Sequence, residues 1–376
     1  LQGQHSQSAE VRSTRLHTKG RTHRADSNHR STVCGEDHDR FNKADAHGFG
    51  SSLWLTLIEL LVVIAIIALL VSILLPALGK TRRYAKLLKC VSQQRQLSVA
   101  QLTYATDFKD ALSGFSWTQG KWGPEAGQAG VPTNFADDLA AASAQAVAIM
   151  RLRSVPRNTA IPVPAGWVPH IRYSHIPLYN YIAQRLPEPT LVCPDDFRQR
   201  GFIDNPSVTP SLGIHQLYAS SYNFAPAFYT PNKETATGGR FRQATNQRLF
   251  TYASGGGNYM LGRRKTYEVR FPSQKVWIFD EYDRHENKVD TYFTHFRAKP
   301  TVILGDGSSQ VVKSHDANLG GYLGSNNLVT AATILYAPNE FPLVPWPDTS
   351  PLLQDGRYRW TLGGLSGRDI GGPRPF

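Results

Sequence analysis

The sequence predicts an α+β protein in which one long N-terminal helix packs on a domain with an antiparallel sheet. Three observations carry that expectation. Leu53 to Leu78 reads LWLTLIELLVVIAIIALLVSILLPAL and holds a single charge, Glu59. Residues 79–113 continue with apolar positions at helical spacing (Leu87, Leu88, Val91, Leu97, Leu102) among Arg and Gln. From Thr190 onward, runs rich in β-branched and aromatic residues alternate with Gly, Pro and Asp.

Taken in order, residues 1–52 are polar, lack apolar periodicity and scatter their histidines (His5, His17, His23, His29, His38, His47) without ligand spacing. They read as a disordered polar leader or a mis-called extension of the reading frame. Residues 53–78 follow as a transmembrane helix. The charge-free stretch from Leu60 to Leu78 is long enough to cross the roughly 30 Å hydrocarbon core of a bilayer. It is too long for the h-region of a cleaved signal peptide, so the class is signal anchor. Pro76 removes one backbone donor and predicts a kink. Residues 79–113 are the amphipathic continuation, with Gly114 as the stop.

Residues 114–376 form the globular α+β domain. Phe135 to Arg153 is Ala-rich and reads as a helix, and Ile161 to Pro189 reads as irregular. Strand-type runs are TLVCP (190–194), SSYNFAPAFY (220–229), RLFTYA (248–253) and KVWIFDEY (275–282). TVIL and SSQVV, joined by Gly305-Asp306-Gly307, read as a hairpin.

Length and charge narrow the classes. The chain has 376 residues, 41% hydrophobic and 19% charged, enough for one anchored domain. The net charge of +12 is concentrated beside the apolar span, at Lys80, Arg82, Arg83, Lys86, Lys89 and Arg95. Basic residues in that position meet lipid head groups rather than nucleic acid. Cys34, Cys90 and Cys193 lack CxxC spacing, so no metal site and no cofactor are expected. Cys90 and Cys193 leave two readings open: one disulfide outside the cytoplasm, or two separate buried thiols.

A carboxylate inside an apolar span costs on the order of 2.5–3.5 kcal/mol on insertion scales, so Glu59 needs a use. Leu55-Thr56-Leu57-Ile58-Glu59-Leu60-Leu61-Val62-Val63 resembles the N-terminal segment of type IV pilins and type II secretion pseudopilins. Counting Leu55 as the first mature residue puts Glu59 fifth and Pro76 twenty-second, both landmarks of that family. The later chain is similar to a bacterial subgroup with Cys-x5-Gln-Leu, Cys-Pro and His-x9-Asp-Gly, here Cys90 to Leu97, Cys193-Pro194, and His295 with Asp306-Gly307. Three departures stand out: Trp54 replaces the glycine before the cleavage point, Leu55 replaces phenylalanine, and ten residues separate His295 from Asp306.

The resemblance implies a single-pass inner-membrane subunit with a cytoplasmic N-terminus and a periplasmic or extracellular domain. Its partners would be other pilin or pseudopilin subunits, prepilin peptidase and membrane lipid. Glu59 would pair with a neighbouring subunit's first amine, and Pro76 would loosen the helix during packing. Charge counting alone gives the opposite orientation, with the six basic residues inside. The rival from another class is a non-assembling, membrane-tethered extracytoplasmic binding module for glycan or another surface polymer, with Trp277, Trp346 and Trp360 as aromatic candidates.

An enzyme is not expected, because His295, Asp306 and His315 come with no nucleophile motif. Asp306 between two glycines reads as a turn residue, with His295 buttressing the hairpin. Asp195, Asp196, Asp280, Glu281 and Asp283 could supply a calcium site but lack EF-hand spacing and read as solvated acids.

Overall fold

The computed structural model describes residues 56–164, 167–182, 185–206, 217–230, 242–243, 252–253, 264–286, 290–323, 329–331, 333–335, 353–359, 361 and 363–371. The polar leader, Trp54, Leu55, Trp346 and Trp360 therefore lie outside the described residues. Two compact units divide inside the first helix, Leu1–Val63 and Ile64–Phe376.

The expected long helix is present as α1, Leu57–Asp107. It runs unbroken through Pro76, which leaves the Ser72 carbonyl without its usual donor. The helix ends before the expected stop at Gly114. Lys109 and Asp110 adopt left-handed backbone (φ 52° and 62°), and the Asp110 amide turns back to donate to the Ala105 carbonyl at 2.8 Å. This is a left-handed C-terminal closure built without glycine.

Among the described residues four further α-helices follow: α2 (Glu125–Ala129), α3 (Asp138–Arg153), α4 (His170–Tyr173) and α5 (Phe197–Asp204). The Ala-rich run forms α3 as expected. Its start is fixed by Asp137, whose carboxylate accepts from the Ala140 amide at 2.7 Å. Ala141, Ala142, Ala144, Ala146 and Ala148 are all buried, so neighbouring chain can approach the helix closely. Arg151 in the last turn donates to the carbonyls of Ala129, Gly130 and Ile161.

The main sheet is antiparallel and four-stranded, in the order β1 (Tyr222–Phe224), β2 (Val276–Asp280), β5 (Thr301–Leu304), β6 (Ser309–Val311). Tyr222 lies opposite Asp280, Ile278 opposite Ile303, and Thr301 opposite Val311. Between β2 and β5 a short ladder pairs β3 (Tyr282–Asp283) with β4 (Thr291–Tyr292). Further two-stranded ladders pair Arg242–Gln243 with Tyr252–Ala253, Gly321–Leu323 with Val329–Ala331, and Thr333–Leu335 with Leu353–Asp355. The expected hairpin is β5–β6. One expected strand fails: TLVCP begins in a 3-10 turn, Pro189–Leu191, because Pro189 fixes the backbone and the Glu188 carboxylate caps the Thr190 amide at 3.0 Å.

The described residues form two apolar cores. The first gathers Cys90 and Leu97 of α1 with Phe224, Ile278, Phe279, Val302 and Ile303 of the sheet, and with Tyr358 and Leu365 near the C-terminus. The second gathers α3 with Phe115, Trp117, Trp167, Tyr173 and Ile176. Lys275, at the foot of β2, is fully buried and ion-paired to Asp369 at 3.0 Å, which ties the C-terminal segment to the sheet.

Candidate functional site: an exposed apolar helix and a buried thiol cluster

The first candidate site is the start of α1. Every residue from Thr56 to Ala85 is exposed, and the most apolar window has a mean hydropathy of 3.2 with none of it buried. Apolar side chains cover the whole circumference rather than one stripe, the pattern of a helix solvated by lipid or by other helices. The span is long and apolar enough to cross a membrane.

Glu59 sits in the first turn of this helix. Its Oε2 accepts from the Thr56 amide at 2.8 Å, while the Thr56 hydroxyl accepts from the Glu59 amide at 3.3 Å. This is a reciprocal capping box. Thr56-x-x-Glu59 is legible in the sequence as such a box, a signal for Thr56 beyond its place beside the glutamate.

The second candidate site lies where α1 meets the sheet. A buried stripe of α1 contains Cys90, Gln93, Gln94, Leu97, Ser98 and Gln101. The glutamines are buried because each finds partners. Gln93 bridges the Pro189 carbonyl and the Tyr222 hydroxyl, at 3.2 and 3.0 Å. Gln94 donates to the Thr301 hydroxyl at 2.7 Å. Gln101 donates to the Ala111 carbonyl and accepts from the Ser113 amide, at 3.2 and 2.9 Å.

At the head of this stripe the structure brings Cys90 and Cys193 together as free thiols, with sulfurs 2.9 Å apart. His285, just beyond β3, places Nε2 at 3.1 Å from Cys90 Sγ and 3.3 Å from Cys193 Sγ. Asp280 closes the group. One donor atom from each of Cys90, Cys193, Asp280 and His285 falls within 4.8 Å of all the others, and all four residues are buried. The opposite ring nitrogen of His285, Nδ1, is 2.9 Å from Asp195 Oδ2, and Asp195 is in turn ion-paired to Lys86. Arg284 bridges Asp280 and Asp196, at 3.0 Å from the latter.

Burial pushes the Cys193 thiol well up, so without a partner it stays protonated. Burial also lifts Asp280 to about 6, against the pull of Arg284 and His285. Asp196 goes the other way: burial opposes its charge, but Arg284 and the Gln199 amide and Ser221 hydroxyl outweigh it.

These placements revise two expectations. The aspartates are not solvated: Asp196, Asp280 and Asp283 are buried, taken up by Arg284 or by the amides of Glu286 and Lys299. Trp277 fills core against Phe224 and Phe228 rather than lining a glycan face. His295 and Asp306 flank opposite ends of β5. His295 is buried, with Nδ1 accepting from the Arg297 amide at 3.2 Å. Asp306 forms the expected turn, accepting from the Ser308 amide and hydroxyl at 2.9 and 2.6 Å. Gly307 has φ +83°, and a Cβ there would lie 2.7 Å from the Ser98 hydroxyl of α1. The Asp-Gly pair thus lets the hairpin tip sit flush on the helix. His315 is largely exposed.

No protein-family model, curated protein or solved structure matches the chain.

Proposed function

We propose that this protein is a non-enzymatic, single-pass membrane subunit of the pilin or pseudopilin type, assembling through the first half of α1. The observation that carries the reading is the contrast along that helix. From Thr56 to Ala85 it is apolar and exposed throughout, with one acid at Glu59 and one proline at Pro76. From Cys90 to Ala105 it is committed to its own domain.

A carboxylate in an apolar setting is tolerable when paired, and a neighbouring subunit's N-terminal amine is the partner this spacing suggests. Pro76 would supply the local loosening that lets such helices repack as subunits leave the bilayer for a filament. In this reading the N-terminus faces the cytoplasm, the domain faces outward, and a prepilin peptidase acts before Leu55.

Two measurements on the full chain in its native membrane test the proposal. A cysteine at Leu70 should crosslink into a regular ladder of oligomers. Monomer alone would reject assembly and leave a tethered binding module. The N-terminal residue should be N-methylated Leu55, and a retained upstream segment would reject processing at Trp54-Leu55.

A further inference from the structure

We infer that Cys90, Cys193, Asp280 and His285 form a binding site for one thiolate-preferring divalent metal ion, with zinc as the ion that fits the donor set. The inference stands independently of the assembly reading, because it concerns only the domain and its contact with α1.

The donor set is two sulfurs, one imidazole nitrogen and one carboxylate, drawn from three stretches of chain and converging in a buried volume. Thiolate and imidazole together suit zinc, which takes four such ligands tetrahedrally. Tetrahedral metal–sulfur bonds of about 2.3 Å and metal–nitrogen bonds of about 2.0 Å need donors roughly 3.5–3.8 Å apart. The sulfur–sulfur and sulfur–nitrogen separations are 2.9, 3.1 and 3.3 Å. The donors therefore need to spread by less than about 1 Å to admit the ion.

Two observations beyond the donor count favour a metal over a simple disulfide. His285 turns Nε2 to both sulfurs at once while Asp195 holds Nδ1, and Lys86 anchors Asp195. That carboxylate–histidine relay is the outer shell that orients a metal-bound imidazole. The second is Asp280, which is buried with Oδ2 lacking a hydrogen-bond partner among the described residues. A buried carboxylate oxygen left unpaired is costly unless something binds it. A Cys90–Cys193 disulfide would satisfy neither group, whereas a cation among the four satisfies both. On binding, each thiol loses its proton to solvent as the metal–sulfur bond forms, and any proton on His285 Nε2 leaves as well, so uptake releases at least two protons and becomes weaker in acid.

The role that follows is structural. The ion would link α1 through Cys90, the segment after Pro189–Leu191 through Cys193, and the β2–β3 region through Asp280 and His285. It would clamp the helix to the sheet at the point where the buried stripe begins.

The test uses the full-length protein, purified in detergent under reducing conditions, with Zn²⁺ and Co²⁺ as probes. The expected result is one zinc per chain, displaceable by Co²⁺ with intense visible bands of a tetrahedral site and a thiolate-to-cobalt charge-transfer band. Asp195→Asn leaves all four donors in place and should weaken zinc binding about 10–100-fold. His285→Ala should abolish the tetrahedral cobalt spectrum, while the exposed His315→Ala should leave it unchanged. Because Cys90→Ser also alters the core, thiol protection offers an independent reading: zinc should shield both wild-type cysteines from alkylation, and chelation should expose them. A reduced, folded protein that takes up neither ion, or one whose cobalt spectrum lacks the thiolate band, would overturn the site. So would a chain isolated with a Cys90–Cys193 disulfide that binds no metal after reduction.

Discussion

The two halves of α1 obey opposite rules. From Leu57 to Leu78 leucine, isoleucine and valine face outward, at 43–80% exposure. From Cys90 to Ala105 the residues facing inward include three glutamines and a serine, each under 7% exposed. Apolar residues outside and polar residues inside is the reverse of a water-soluble helix. The difference teaches that burial follows the partner rather than the residue type. Among the described residues the first half has no packing partner, and it is suited to lipid or other helices. The second half has hydrogen-bonding partners waiting at fixed positions.

The largest expected effect breaks the comparison at its first half. Glu59→Ala should leave insertion intact and eliminate the crosslinked ladder. Thr56→Ala removes the same capping box from the other side and should cost only about 0.5–2 kcal/mol of helix stability, with the ladder retained. If both variants lose the ladder equally, Glu59 serves its own helix end and the intersubunit pairing is wrong.

Acid should separate the halves next. Burial lowers both His170 and His175 from the ordinary 6.5 to about 3. The unfolded chain therefore takes up these protons before the folded one. Stability is fully present above about pH 6.5 and falls as the pH drops toward about 3, by about 1.4 kcal/mol per pH unit for each histidine. Domain unfolding followed by tryptophan fluorescence should show this slope. Replacing both histidines by phenylalanine should flatten it, and the helical signal of the apolar half in detergent should not follow it.

Gln101→Ala probes the second half, since it strands the Ser113 amide and the Ala111 carbonyl together. It should destabilise the domain by about 1–3 kcal/mol in urea unfolding. Leu70→Ala, a larger apolar truncation on the exposed half, should shift the same transition by less than about 0.5 kcal/mol. Comparable losses from the two would erase the distinction.

The most local effect concerns the hairpin tip resting on the second half. Gly307→Ala places a side chain at φ +83° and against Ser98. A cost of about 1–2 kcal/mol is expected from the backbone alone. Adding Ser98→Gly should recover the contact portion but not the backbone portion, measured as a double-mutant cycle.

Much of the architecture was legible because it is written locally. Glu59 and Pro76 stand out against an apolar background, the Ala-rich run has one periodicity, and Gly305-Asp306-Gly307 marks a turn between two strand-type runs. The misread elements depended on single residues with competing roles. Pro189 with Glu188 turns a strand-like run into a capped 3-10 turn, and Lys109 with Asp110 ends α1 without the glycine expected at 114. Cys90 and Cys193 were legible as a possible pair, but their convergence with His285 was not, for another reason. Cys90 and Cys193 are 103 residues apart, and Cys90 and His285 are 195 apart, so no spacing rule reaches them. Only tertiary structure brings them into contact.

The separation between Gln94 and Thr301 is 207 residues, and it has a meaning in time as well as in space. A ribosome adding roughly 5–20 residues per second takes about 10–40 seconds to travel from one to the other. For that interval the second half of α1 exists without the sheet that will cover it. A leucine stripe would be sticky for the whole of the wait. A glutamine stripe can be hydrated, and it trades its waters for Thr301, Tyr222 and Ser113 when they arrive.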